Sequence, residues 1–208
     1  MLVTSMIGHA FQASMMQCPE ISKSWIEFSF RIGGLLPNSL LSLSVQRIGR
    51  LDALLRCMDD EFTAALTPAE NLLYHESYVT IAELWIGSAY EAMRLLNGSD
   101  RSLIEATDEY KSLMRDLELI RIPLEKHEIA KDKSISESLE MKRQPPRGDD
   151  NDTYRYDRKD KQRAHIMPTG ISQRGSIMWH VVDVRRGQEF WIERRELADR
   201  MLGLKVVP

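Results

Sequence analysis

The chain has 208 residues, of which 43% are hydrophobic and 28% charged, and its net charge is −3. This composition is typical of a globular protein and excludes collagen-like, disulfide-rich and strongly disordered chains. The small negative charge provides no overall attraction to nucleic acids or acidic membranes, so either role would require a local basic patch.

The first 42 residues are predicted to be irregular or only partly ordered. Residues 1–42 are rich in Ser, Met and Gly and show no sustained hydrophobic period. Gly33, Gly34 and Pro37 would break a helix that the preceding aromatic residues begin. Where this segment is ordered, we expect it to lie across the main domain through aromatic side chains such as Trp25.

Residues 43–142 are predicted to form a helical bundle, so that the fold class is mainly α. Apolar residues recur at steps of three and four over residues 48–62, which is the spacing of an amphipathic helix. The sequence Thr-Pro-Ala-Glu at 67–70 is a capping box with proline at the first helical position. An Asn-Gly pair at 97–98 then predicts the end of this second, long helix.

The second half of the long helix, residues 81–96, is apolar around most of its circumference. One predicted face includes Leu84 and Trp85, and the other includes Tyr90 and Met93. A helix with two apolar faces is usually the central helix of a bundle or part of a dimer surface. Trp85, Tyr90 and Met93 are therefore candidate interface residues.

A third helix is predicted over residues 101–121, with Ser99 or Asp100 as its N-cap. Pro123 cannot donate a backbone hydrogen bond and clashes with the carbonyl four residues earlier, so a kink or a new start is expected there. The sequence 123–143 is then predicted to continue as a fresh helix.

The last two regions differ from the helical part in composition. Residues 143–175 have few aliphatic side chains and dense charge of both signs, which predicts a charged linker. Residues 176–208 predict a β-hairpin followed by a short amphipathic helix. Because an isolated hairpin is only marginally stable, this piece must dock on another element, and Trp179 and Trp191 are candidate residues for a partner surface.

Cysteines and apolar runs exclude further classes of protein. Cys18 and Cys57 are the only cysteines, and both are predicted to be reduced and packed. No Glu-x-x-His or Cys/His spacing indicates a metal site, and no cofactor is expected. The N-terminus does not resemble a secretory signal, and the apolar stretch at 25–45 contains too many polar residues to cross a membrane. A soluble cytoplasmic protein with no membrane association is expected.

Arg121 and His127 are the candidate catalytic residues. Their spacing resembles the RxxxxxH motif of HEPN-domain proteins, which are helical, often dimeric, and include metal-independent endoribonucleases. The resemblance covers residues 43–131 and implies that Arg121 holds a phosphate while His127 is the general acid or base, with cleavage through a 2′,3′-cyclic phosphate. On an unbroken helix the two side chains lie about 120° and about 9 Å apart. They would therefore meet only through a kink at Pro123 or across a dimer axis; the alternative is a solvent-exposed charged helix.

Residues 154–165 are the candidate nucleic-acid segment, because basic side chains interleaved with tyrosines can hold a single strand. The alternative is a solvated linker, since aspartates alternate with the cations and an acidic run precedes them. The basic side chains concerned are Arg155, Arg158, Lys159, Lys161 and Arg163.

Together these patterns favour a non-enzymatic helical protein that acts through protein–protein contacts and self-associates. A homodimer is the expected assembly, and a different protein is the other expected partner. The alternatives are a HEPN-like endoribonuclease that acts on RNA and, third, a nucleic-acid-binding accessory protein.

Overall fold

The computed structural model describes residues 2–36, 39–64, 68–98, 104–105, 107–142 and 153–206, and for residues 68–74 and 98 it describes the backbone alone. Most of these residues are helical, and a small C-terminal sheet is followed by a last helix, as predicted. The helices are α1 Leu2–Gln17, α2 Pro19–Leu35, α3 Leu41–Thr63, α4 Pro68–Gly98, α5 Asp108–Lys126 and α6 Arg194–Leu202. The strands are β1 Leu139–Lys142, β2 Thr153–Tyr156, β3 Thr169–Ile171, β4 Ile177–Asp183 and β5 Gln188–Glu193.

The N-terminal segment that was predicted to be irregular forms α1 and α2. Pro19 stands in the first turn of α2, where its missing N–H costs no hydrogen bond. The glycines at 33 and 34 lie inside the last turn of α2 and do not break it earlier. Trp25 and Phe28 are buried against the rest of the chain, so the segment does pack through its aromatic residues.

α3 packs against α1, α2 and α4, and its apolar stripe is central to the core. Ile48 and Leu55 on this stripe are buried, as the sequence spacing predicts. Gly49 lies where α2 approaches α3, and a Cβ atom at this position would be 2.5 Å from the Cβ and Cγ atoms of Trp25. A residue without a side chain is therefore required for this close approach.

α4 buries one broad stripe, and the described residues on the rest of its circumference are partly buried or exposed. The stripe spans about 120° of the helix, because its members recur at steps of three and four. The two apolar faces predicted for this helix are thus adjacent parts of one stripe, and Leu84, which was predicted to share the face of Trp85, is 61% exposed. The helix ends at the predicted Asn-Gly pair, whereas the predicted cap at Thr67 lies outside the described residues. The buried members are Tyr78, Ala82, Trp85, Ile86, Ala89, Ala92, Met93 and Leu96.

α5 begins later and ends later than predicted. Thr107 is its N-cap and accepts a hydrogen bond from the backbone of Tyr110 at 3.2 Å, while the predicted caps at Ser99 and Asp100 lie outside the described residues. Pro123 lies in the last turn and does not break the helix. The helix stops at His127, whose φ of 55° is left-handed.

The prediction of a fresh helix over residues 123–143 is wrong. Lys131 also has a left-handed φ, of 61°, and a single 3₁₀ turn, Asp132–Ser134, follows it. The chain then enters β1, which pairs with β2 in an antiparallel ladder in which Leu139 is opposite Tyr156. Ile129, Ile135 and Met141 bury the Tyr156 ring in a separate small apolar cluster.

The range predicted as a charged linker, 143–175, contains β2 and β3, and its first residues lie outside the described part of the chain. β3 pairs with β4, and β4 pairs with β5, both antiparallel. Alternate side chains of β4 are buried, among them Ile177, Trp179 and Val181. The predicted hairpin and the helix that follows it are confirmed.

A buried ion-pair network attaches α6 and the sheet to the helices. Arg194, the first residue of α6, is fully buried and donates hydrogen bonds to Asp52 and, at 2.9 Å, to Asp59 on α3. Tyr78 of α4 donates to Asp59, and its hydroxyl accepts the N–H of Ile177 at 2.8 Å. The C-terminal elements β4 and α6 are therefore held to α3 and α4 through groups that no solvent reaches.

The pKa directions in this network follow from burial and pairing. Burial opposes the charged form of Asp52, but the charges of Arg194 and Arg56 outweigh it and lower the pKa of Asp52. Burial raises the pKa of Asp59, and the Arg194 charge and Tyr78 hydrogen bond offset only part of this effect. Burial also opposes the charge of Arg194, yet the two aspartates raise its pKa, so it stays a cation.

Candidate functional site

The predicted catalytic residue Arg121 is occupied by neighbours within the chain. Its Nε donates to Glu125 at 2.8 Å, one helical turn along α5, and its Nη2 lies 3.2 Å from a carboxylate oxygen of Glu91 on α4. Its guanidinium carbon stands 4.6 Å from the centre of the Tyr90 ring. This arginine joins α4 to α5, and its charge is balanced by two carboxylates.

The predicted partner His127 caps the end of α5 and has an exposed side chain. Its backbone carbonyl accepts the N–H of His165 at 2.8 Å, so its main chain holds the next segment in place. Within the described residues no hydrogen bond or ion pair joins His127 to Arg121. α5 continues through Pro123 without a new start and ends at His127, so the restart that was one route to bring the two side chains together is not formed.

The basic segment 154–165 is largely paired with its surroundings. Arg163 donates to Glu128 at 2.6 Å and to Asp132 at 3.0 Å. Arg155 donates to the hydroxyl of Ser138 at 2.8 Å, and Arg158 donates to the backbone of Lys133. The exposed cations that remain there are Lys159 and Lys161.

Three of the five candidate interface residues are inside the core. Trp85, Met93 and Trp179 have no exposed surface, so their role in the described structure is packing. Tyr90 is half-buried beneath Arg121, and Trp191 is 44% exposed with its ring 5.1 Å from that of His180.

Metal binding and membrane crossing find no support in the described part of the chain. No group of three or more His, Cys, Asp or Glu side chains is arranged to hold a metal ion among these residues. Of the helices described, none is both long and apolar enough to span a membrane.

The most unusual surface lies on α1. Every residue from 2 to 10 is exposed, and we call this N-terminal half of the helix the α1 arm. The arm carries four large apolar side chains that are more than half exposed: Leu2 74%, Val3 69%, Met6 61% and Ile7 54%. Exposed apolar groups that lie together on a surface typically mark a contact site.

The arm also lacks the charges that a solvent-exposed helix normally carries. Residues 1–19 contain no Asp, Glu, Lys or Arg, and Glu20 is the first charged residue of the chain. A surface helix usually places charged residues on the side that faces water. This feature was readable in the sequence, because the polar side chains of this helix, among them Thr4, Ser5 and His9, carry no formal charge at neutral pH.

The second half of α1 anchors the arm to α3. Ser14 is buried, and the ring of Phe11 lies 5.2 Å from the guanidinium carbon of Arg50. The sulfur atoms of Cys18 and Cys57 are 3.9 Å apart and not bonded, which agrees with two reduced, packed thiols. Burial, followed by the neighbouring Cys18, raises the pKa of the Cys57 thiol to about 12.

An apolar groove continues from this anchor between α1, α2 and α3. It has a volume of about 420 Å³ and is lined by Met15, Trp25, Ile26 and Phe30 together with polar groups of α3. Phe30 is 67% exposed at its edge. The N-terminal helices thus present both a protruding apolar arm and a groove beside its base.

In comparisons with known proteins, the chain matches no family model, no curated protein and no solved structure.

Proposed function

We propose that this protein acts through protein–protein contacts and that its first partner is a second copy of the same chain, bound through the α1 arm. The observation that carries the proposal is the exposure of a charge-free apolar helix. Complete burial of an aliphatic side chain stabilises an assembly by roughly 1.5–3 kcal/mol. Four such side chains on each arm would together favour association by several kcal/mol.

The absence of charge on the arm favours a second copy over other occupants. In a two-fold dimer the same surface faces itself, so a charged arm would place like charges opposite each other. A neutral arm has no such repulsion. Helices that lie on membrane surfaces usually combine an apolar side with lysines and arginines, and residues 1–19 contain neither.

The test is molar mass by light scattering across the micromolar range. We expect a dimer for the native sequence and a monomer for the double variant Met6→Glu/Ile7→Glu, because two buried carboxylates per arm would oppose association. Leu84→Glu is the matched control, since Leu84 is as exposed as Met6 but lies on α4. A native chain that is monomeric throughout, or a double variant with the mass of the native dimer, would contradict the proposal.

The HEPN-like ribonuclease is a less supported alternative, because Arg121 is paired with Glu91 and Glu125, and no hydrogen bond or ion pair joins it to His127 among the described residues. It would need the two side chains to meet across a dimer axis. Incubation with RNA in EDTA tests it directly. Cyclic-phosphate ends that the native protein produces and His127→Ala does not would support this alternative, and an absence of cleavage by the native protein would contradict it.

A further inference from the structure

A basic groove lies between the end of α4, the middle of α5 and the turn that joins β4 to β5. Its volume is about 660 Å³, within the range of small-molecule sites. Two carboxylates, Glu118 and Asp183, line it beside six cationic side chains, although the whole chain has a net charge of −3. The cations are Arg94, Lys111, Arg115, Lys131, Arg185 and Arg186.

The backbone of the turn between β4 and β5 is held by one buried carboxylate. Asp183, the last residue of β4, is 4% exposed and accepts the backbone N–H of Arg185 at 3.1 Å. The Nε atoms of Arg115 and Arg186 lie 3.9 and 4.0 Å from its other oxygen. Asp183 therefore fixes the backbone of the turn, while its other oxygen accepts no hydrogen bond among the described residues and lies near two guanidinium groups.

Most of these cations have a carboxylate partner within the chain: Arg115 pairs with Asp116 at 2.8 Å, and Lys131 pairs with Glu118, which also lines the groove. Arg94 and Lys111 pair with Glu91 and Asp108, and neither carboxylate lines the groove. Arg185 is exposed and forms no ion pair within the part of the chain that the structure describes. With six cations and two carboxylates in its lining, the groove has an excess of positive charge, and Arg185 supplies part of it without an ion-pair partner among the described residues.

We propose that this groove binds a ligand that carries two or more phosphate groups. Guanidinium groups bind phosphate oxygens through paired, charge-assisted hydrogen bonds, and several cations suit a ligand of several negative charges better than a single carboxylate. Tyr90 also lines the groove, with its ring centre 4.6 Å from the guanidinium carbon of Arg121. Such a ligand is either a small polyphosphate compound or the backbone of a nucleic-acid strand, and both present the same phosphate chemistry.

The experiment measures binding of two probes, inorganic pyrophosphate by calorimetry and a labelled single-stranded RNA by fluorescence anisotropy. The test variant is Arg185→Ala/Arg186→Ala, because both side chains are exposed on a turn and their loss leaves the core intact. We expect binding at least about tenfold weaker, which is the loss of about 1.4 kcal/mol. Lys111→Ala, on α5, is expected to weaken the same probe, since it approaches the groove from another element.

Arg31→Ala/Arg47→Ala is the matched control, since it removes two exposed arginines of α2 and α3 outside the groove, and binding within about twofold of native is expected. A competition experiment distinguishes the two candidate ligands. Displacement of the bound RNA by pyrophosphate indicates a small polyphosphate ligand. RNA binding that resists pyrophosphate and weakens steeply with salt indicates a strand. The proposal is overturned if neither probe binds the native protein, or if the groove and control variants lose affinity equally.

Discussion

The α1 arm and the contact between α3 and α6 are opposite in which kind of side chain they expose and which kind they bury. The arm exposes apolar side chains, whereas the α3–α6 contact buries Arg194 together with Asp52 and Asp59. Each buried ion has its counter-ions within the same chain. The apolar side chains of the arm have no covering element among the described residues. The charges at the start of α6 are thus neutralised within the chain, whereas the apolar side chains of the arm would be buried only by a second chain.

The two regions also differ in what a substitution should change. A buried charge that loses its partner is destabilising by several kcal/mol, because the remaining ion cannot reach water. An exposed apolar side chain contributes little to the folded monomer, but it contributes to any contact that covers it. Stability measurements should therefore respond strongly at α6 and weakly at the arm, and mass measurements should respond in the reverse order.

The largest effect is expected for Arg194→Met, which keeps a long side chain and removes the charge. Asp52 and Asp59 would be left with less compensation in a site without solvent. We expect a loss of about 3–5 kcal/mol in the free energy of unfolding, measured by urea denaturation. A loss below about 1 kcal/mol would show that the buried network does not hold β4 and α6.

Arg195→Ala is the neighbouring control for this variant. Arg195 is partly exposed and pairs with Asp60 at 3.8 Å, and Asp60 is 70% exposed. Ion pairs of this kind contribute about 0–1 kcal/mol. If Arg194→Met and Arg195→Ala lower the free energy of unfolding equally, the loss comes from any change at the start of α6 and not from the buried charge.

His165 shows what burial does to a charge without an ionic partner. Its Nδ1 atom lies 2.7 Å from the hydroxyl of Tyr154, and burial, followed by the charge of His180, lowers the pKa of His165 from 6.5 to about 4. Between these values the unfolded chain binds a proton that the folded chain does not. Stability from this site is therefore complete above about pH 6.5 and is lost as the pH falls to about 4.

The expected loss over that pH interval is about 3 kcal/mol, measured from denaturation curves at a series of pH values. His165→Gln should reduce this dependence. His127→Asn is the control, because His127 is exposed and asparagine accepts a left-handed φ. If the native chain and His165→Gln lose stability in parallel, His165 does not titrate as a buried group.

Gly49→Ala tests how closely the buried side of the molecule is packed. The new methyl group would overlap Trp25, whose indole N–H donates to Asp52 at 2.8 Å, so the substitution also disturbs the ion-pair network. Overpacking of this kind typically costs about 1–3 kcal/mol. Gly34→Ala is the control, since no atom lies within 4 Å of its added Cβ. In thermal unfolding, Gly34→Ala should be as stable as the native chain or slightly more stable. If Gly34→Ala and Gly49→Ala lose equal stability, the loss comes from the change of a helical glycine and not from the overlap with Trp25.

The sequence predicted those elements whose signals are local. The amphipathic spacing of α3, the proline and Asn-Gly boundaries of α4, and the alternation in β4 all lie within the elements themselves. The missed elements depend on distant residues. Tyr156 is buried by Ile129 and Met141, and no local pattern indicates that β1 and β2 would meet around it.

The candidate sites were harder to predict, because charge in a sequence does not reveal burial. Arg194 looks like a surface residue beside Arg195, and it is buried only because α3, more than a hundred residues earlier, supplies Asp52 and Asp59. Arg121 was singled out by a motif, yet its neighbours Glu91 and Glu125 determine what it contacts. The basic groove combines residues of α4, α5 and the β4–β5 turn that are far apart in the sequence.

The smallest expected effect on folding, and the sharpest test of the arm, is Met6→Ser/Ile7→Ser. Both side chains are exposed, so the variant monomer should unfold within about 0.5 kcal/mol of the native monomer. If the arm joins two copies, association stabilises only the native chain, and its melting temperature rises with protein concentration. The variant's melting temperature should then stay constant, and the two should agree at the lowest concentrations. Parallel melting temperatures at every concentration would instead mean that the apolar side chains of the arm contact no second copy.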